Sequence, residues 1–145
     1  SHLLEDVTNP SVLAKLLPRV AKAGIVAVPS KFYELARLAP IPHEGSMAGR
    51  YRGAIHHRWI FTVQEGTLLA VPKLPYLEQD DSFQELEALG LNQSLVDLML
   101  LWQDTLPMRI LNDGFMGPSG DAVVRMVRDA LSPAQPDDVD AAVTS

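Results

Sequence analysis

The sequence predicts one small α+β domain, with N-terminal helices, a central antiparallel β-hairpin or sheet, and C-terminal helices packed on it. Three observations predict it. Residues 10–20 place apolar side chains at helical spacing, residues 50–63 alternate apolar with polar, and residues 121–131 return to helical spacing. A chain of 145 residues, 47% of them apolar, suits a single core.

The elements follow in order. Asn9 caps the first helix and Pro10 takes its first position, where a missing N–H does no harm. Val12, Leu13, Leu16, Leu17 and Val20 continue it. Pro18 is expected to kink or restart the helix, and Gly24 to end it. Ile25 to Val28 is short and β-branched, as a strand would be. Pro29 and Ser30 open a second helix with Phe32, Leu35, Ala36 and Leu38 turned inward, and Pro40-Ile41-Pro42 stops it.

Residues 50–63 read as extended chain. Tyr51, Ile55, Trp59, Phe61 and Val63 form the apolar row, and Arg50, Arg52, His56, Arg58 and Thr62 the polar one. Gly53 marks a bulge or break, because a strand of that length would be unusual. Glu65-Gly66 is a two-residue turn, and Thr67 to Val71 is the returning strand. In that register Val63 faces Leu68, Phe61 faces Ala70, Ile60 meets Val71 and Thr62 meets Leu69. Both faces near the turn are therefore apolar, so a second layer should cover them.

Asp81 caps a short helix carrying Phe83, Leu86 and Leu89, and Asn92 opens the next, which ends before Pro107. Within it "LVDLMLLW", residues 95–102, is apolar almost all round as a helix. Only Gln93, Asp97 and Asp104 share a polar side. Such a helix is buried in the domain or against another chain, which makes Leu95, Met99 and Trp102 interface candidates. Met108 to Leu111 suits a strand, and Asn112-Asp113-Gly114 a turn. Val123, Met126, Val127, Ala130 and Leu131 define a last amphipathic helix. Asp121, Arg125 and Asp129 form four-residue charge pairs on its wet face. Residues 1–131 are thus the expected globular domain and 132–145, with Pro133, Pro136 and three Asp, a disordered acidic tail.

Charge is unevenly placed. Residues 1–42 and 43–73 each sum to +2, residues 74–108 to −7 and residues 109–145 to −3, for a net −6. No dense basic surface is available for nucleic acid. A winged helix–turn–helix would offer only Lys31 and Arg37 on its recognition helix, too few for base reading and phosphate contact. The asymmetry suits oriented docking with a partner or with a second copy. With no cysteine, disulfides, zinc thiolates and Cys nucleophiles are excluded. No apolar run is long enough to cross a bilayer and no segment reads as a secretion signal, so a cytoplasmic location is expected.

The chemistry-bearing stretch is "GRYRGAIHHRW", residues 49–59. On a strand Arg50, Arg52, His56 and Arg58 would line one side about 6–7 Å apart. Three guanidinium groups so spaced require carboxylates, water or a carboxylate or phosphate ligand, and His56 adds an acid–base group. The competing outcome is pairing with the acidic 74–108 segment. His57 would point to the opposite, apolar face. The two histidines would then diverge, and no HExxH-like spacing is present, so neither metal nor cofactor is expected. "GPSGD", residues 117–121, lacks the Lys and the length of a phosphate loop and reads as a turn and helix cap. No GxSxG surrounds any serine.

These observations favour a non-catalytic protein-binding module, of adaptor, chaperone-like or immunity type and able to self-associate. The alternative is a small-ligand protein or enzyme in which Arg50, Arg52 and Arg58 hold an anion and His56 moves protons.

Overall fold

The structure, a computed structural model, describes residues 2–37, 51–84, 93–111 and 125. Sheets and helices are both present, so the α+β class stands, with strand and loop predominating. Of the expected C-terminal helices, the described residues show only the turn Gln93–Val96 and a helical Arg125. Residues 93–111 hold one helical turn, Gln93–Val96, and two strands. The expected helix over 121–131, the "GPSGD" loop and the 132–145 tail lie outside the described residues, Arg125 apart.

Helix α1 spans Pro10–Val20. Asn9 caps it by accepting from the Ser11 N–H at 3.1 Å. Pro18 does not restart it: the helix runs unbroken from Pro10 to Val20. Pro18 falls in the last turn, so only one ladder bond is lost before Ala21 N–H closes the helix on the Leu17 carbonyl at 3.0 Å. Strand β1, Ala23–Pro29, follows. Gly24 is therefore not a helix stop. It lies within β1 and passes under the Trp102 indole, which would stand 3.0 Å from any Cβ added there.

Helix α2, Lys31–Leu35, is a short helix capped by Ser30, whose hydroxyl accepts from Tyr33 N–H at 3.1 Å. Ser30 also donates to the Leu95 carbonyl, which ties the start of α2 to the turn before the last long strand. The hairpin is β2, Trp59–Gln64, with β3, Thr67–Pro72. Its register is the one the alternation predicts, with Val63 opposite Leu68 and Phe61 opposite Ala70. Glu65 and Gly66 both have positive φ, 49° and 70°, as a type I′ turn demands.

Residues 97–102 are not a helix. Val96 ends the helical turn and β4, Asp97–Gln103, begins, pairing antiparallel with β1 so that Ile25 faces Leu101 and Ala27 faces Met99. The apolar run suited a helix buried all round. As a strand it alternates instead, with Leu100 and Trp102 buried and Met99 and Leu101 exposed. Strand β5, Met108–Ile110, adds in parallel to β3. Among the described residues there are thus two sheets, β1–β4 and β2–β3–β5, joined by a bridge between Ser30 and Phe61.

The core lies between them. Val26, Val28, Leu100 and Trp102 from one sheet meet Phe61, Leu68 and Ala70 from the other, with Leu4, Ala14 and Leu106 closing the rim. The opposite face of the hairpin, Ile60, Leu69 and Val71, is buried as well. Helix α2 lies on that side, and Lys31 Nζ donates to Thr62 Oγ1 at 2.9 Å. A second layer therefore covers the hairpin, as its two apolar faces require.

Candidate functional site

Strand β2 starts at Trp59, so residues 51–58 are a folded loop, not the strand their alternation predicts. The row Arg50, Arg52, His56, Arg58 is not formed. Arg50 lies outside the described residues. Arg52 is turned inward and is 2% exposed. Its guanidinium donates to the carbonyls of Leu77 at 3.0 Å, Leu35 at 2.7 Å and Asp80 at 3.1 Å, with the Phe83 ring 5.5 Å beneath it. Its own backbone N–H donates to the Glu78 carboxylate at 3.0 and 3.1 Å. A five-donor fork held on backbone carbonyls is a structural staple between α2 and residues 77–83. Arg58 and His56 are exposed, with His56 Nε2 4.0 Å from Asp6 Oδ1.

The chemistry of this loop centres on His57, which sequence alternation had assigned to an apolar face. It stands over Glu34, a fully buried carboxylate on α2. Glu34 Oε1 holds His57 Nδ1, and Glu34 Oε2 accepts from Lys73 Nζ at 2.6 Å. Lys73, at the exit of β3, also donates to the carbonyls of Arg52 at 2.7 Å and Ala54 at 2.9 Å, so all three ammonium donors are engaged. Gly53 makes the arrangement possible. Its φ is +55°, and an added Cβ would lie 2.6 Å from Glu34 Cα. Only glycine lets the loop press this close to α2.

The N-terminal segment completes the surroundings. Trp59 Nε1 donates to the Val7 carbonyl at 2.7 Å and Arg58 N–H to the Glu5 carbonyl at 2.7 Å. These bonds lay residues 5–7 across the entrance to β2 and bring Asp6 to the histidines. The oxygen or nitrogen donors of Asp6, His56 and His57 lie within 4.8 Å of one another. The two histidine rings meet edge to face at 4.5 Å, and the Tyr33 ring stands 6.5 Å from His57. Burial alone would lower the His57 pKa. The Glu34 hydrogen bond and the charges of Glu34, Glu5 and Asp6 outweigh it and hold His57 above its ordinary value. The expected divergence of His56 and His57 fails because they sit in a turn, where neighbouring side chains need not alternate.

The interface candidates separate in the same way. Trp102 is in the core, Leu95 is half-buried beside the Ser30 bond, and Met99 is 68% exposed. Ile25 and Leu101, which sequence reasoning did not single out as surface groups, flank Met99 at 61% and 59% exposure. Among the described residues no helix is long and apolar enough to cross a membrane. Compared with protein-family models, curated proteins and solved structures, the chain matches none.

Proposed function

We propose that this chain is a non-catalytic protein-binding module that pairs with a second copy of itself through the outer face of β1–β4. The observation that carries this reading is the cluster of Ile25, Met99 and Leu101. They are exposed on one sheet face, with Ile25 directly across the ladder from Leu101. Exposed aliphatic side chains in facing register favour burial against another protein, and Met is enriched where such contacts form.

A second copy is the occupant that the charges favour. A two-fold interface sets a surface against itself, so any charge at its centre meets its own kind. The outward positions Ala23, Ile25, Ala27, Met99, Leu101 and Gln103 carry no charge, on a molecule of net −6. Asp97 stands only at the far end of the ladder, opposite Pro29. The anion-binding alternative gains no such support, since the Arg52 guanidinium is held on carbonyls of its own chain.

Sedimentation velocity over a wide concentration range tests the reading. The parent chain is expected to form a dimer, and Met99→Asp or Leu101→Lys to remain monomeric with the unfolding midpoint of the dilute, dissociated parent. A parent that stays monomeric at every concentration would sink self-association.

A further inference from the structure

We propose that Asp6, His56 and His57 bind a divalent transition-metal ion of the zinc class, with Glu34 orienting His57 from behind. The inference is independent of the self-association reading. Its first support is the donor set. Two imidazoles and one carboxylate, with donor atoms within 4.8 Å of one another, are the ligand types that borderline ions such as Zn²⁺ take. Mg²⁺ and Ca²⁺ prefer oxygen throughout and are poorly served by this set.

The geometry needs only a small contraction. With bonds of about 2.0–2.1 Å, neighbouring ligands around a tetrahedral ion stand about 3.3 Å apart. His56 and Asp6 are both exposed and lie 4.0 Å apart, so side-chain rotation alone can close the gap. Glu34 already engages His57 Nδ1, which leaves Nε2 as the nitrogen available to an ion. A carboxylate bonded to the far nitrogen of a ligating histidine is the usual support of such ions, because it fixes the tautomer and raises the ring's basicity. Lys73, on the other oxygen of Glu34, holds that carboxylate in place. Three protein ligands leave a fourth position for water.

The second support is Glu5. Its carboxylate is buried, and neither oxygen has a hydrogen-bond partner. Among the described residues, His2 Nδ1 stands 3.4 Å from Glu5 Oε1. Glu5 adjoins Asp6 in sequence, and its charge reaches His57. Three carboxylates, Glu5, Asp6 and Glu34, thus act on one imidazole, and among the described residues the Lys73 ammonium pairs with Glu34. An unpartnered buried carboxylate is costly, and a divalent cation nearby offsets that cost.

The test uses the full chain stripped with a chelator. Zn²⁺ is added in competition with a chromophoric zinc chelator, and the imidazole nitrogens are followed by NMR. One equivalent is expected to bind, with a shift of His57 Nε2 and a smaller one of Nδ1, while Mg²⁺ produces neither. His56→Ala and Asp6→Asn, both at exposed positions, are expected to weaken binding at least about tenfold without changing the metal-free unfolding midpoint. Glu34→Gln should weaken it about 10–100-fold if it still folds. His2→Ala is expected to leave the affinity intact. The proposal is overturned if Zn²⁺ does not bind. It is equally overturned if His56→Ala and Asp6→Asn bind as tightly as the parent, or if His2→Ala alone abolishes binding.

Discussion

A single missing β-carbon sets the geometry of the polar centre. Gly53→Ala would place a methyl group 2.6 Å from Glu34 Cα at a positive φ. About 1–2 kcal/mol of backbone strain plus a main-chain clash is expected, so urea unfolding should report a loss of roughly 2–4 kcal/mol. Arg52→Met would leave the carbonyls of Leu35, Leu77 and Asp80 without their donor, at a cost of about 3–5 kcal/mol. Arg52→Lys should recover little of it, because one ammonium cannot reproduce the planar fork. His57 gives the metal-free protein a pH signature. Its folded pKa lies above the usual 6.5 because Glu34, Glu5 and Asp6 outweigh its burial. A raised folded pKa means that the stabilisation is complete below the unfolded value and is lost as pH rises through the folded one. Unfolding free energy of chelated protein should therefore fall on going from mildly acidic to mildly basic pH, and His57→Gln should flatten that slope.

At the scale of elements, legibility followed how many independent signals agreed. The β2–β3 hairpin was readable to the residue, because period-two alternation and the Glu65-Gly66 turn admit one register. Strand β4 was not, because its outward positions Met99 and Leu101 are as apolar as the inward Leu100 and Trp102. The alternation was erased by the same side chains that form the exposed patch, so the misreading and the proposed surface have one cause. Residues 51–58 failed oppositely. Arg52 looked outward by type, and no local pattern reveals that it reaches carbonyls 25 and 28 residues on. The Glu34–His57–Lys73 centre was invisible for the same reason, since its members lie 23 and 39 positions from Glu34. Gly24→Val tests the corrected place of Gly24. The added side chain meets the Trp102 indole, and a loss of about 1–3 kcal/mol with altered Trp fluorescence is expected.

Over the whole molecule, the basic N-terminal half and the acidic segment are partly joined. Arg37 meets Glu78 at 3.8 Å and donates to its carbonyl at 2.6 Å, while the same carboxylate accepts from Arg52 N–H. Glu78→Ala should cost about 1–3 kcal/mol in equilibrium unfolding, since it leaves a buried N–H unpaired. The two-sheet arrangement has a kinetic side. Of the paired strands among the described residues, only β2 and β3 are consecutive in sequence; β1 must find β4 across some seventy residues, and β5 must return to lie parallel to β3. The hairpin can close within microseconds, whereas the inner face of β1, carrying Val26 and Val28, waits for β4, which follows late in the chain. During synthesis the emerging N-terminal half therefore exposes an unmatched strand edge until residue 103 has left the ribosome, and that interval is when the chain is most open to mispairing with its own copies.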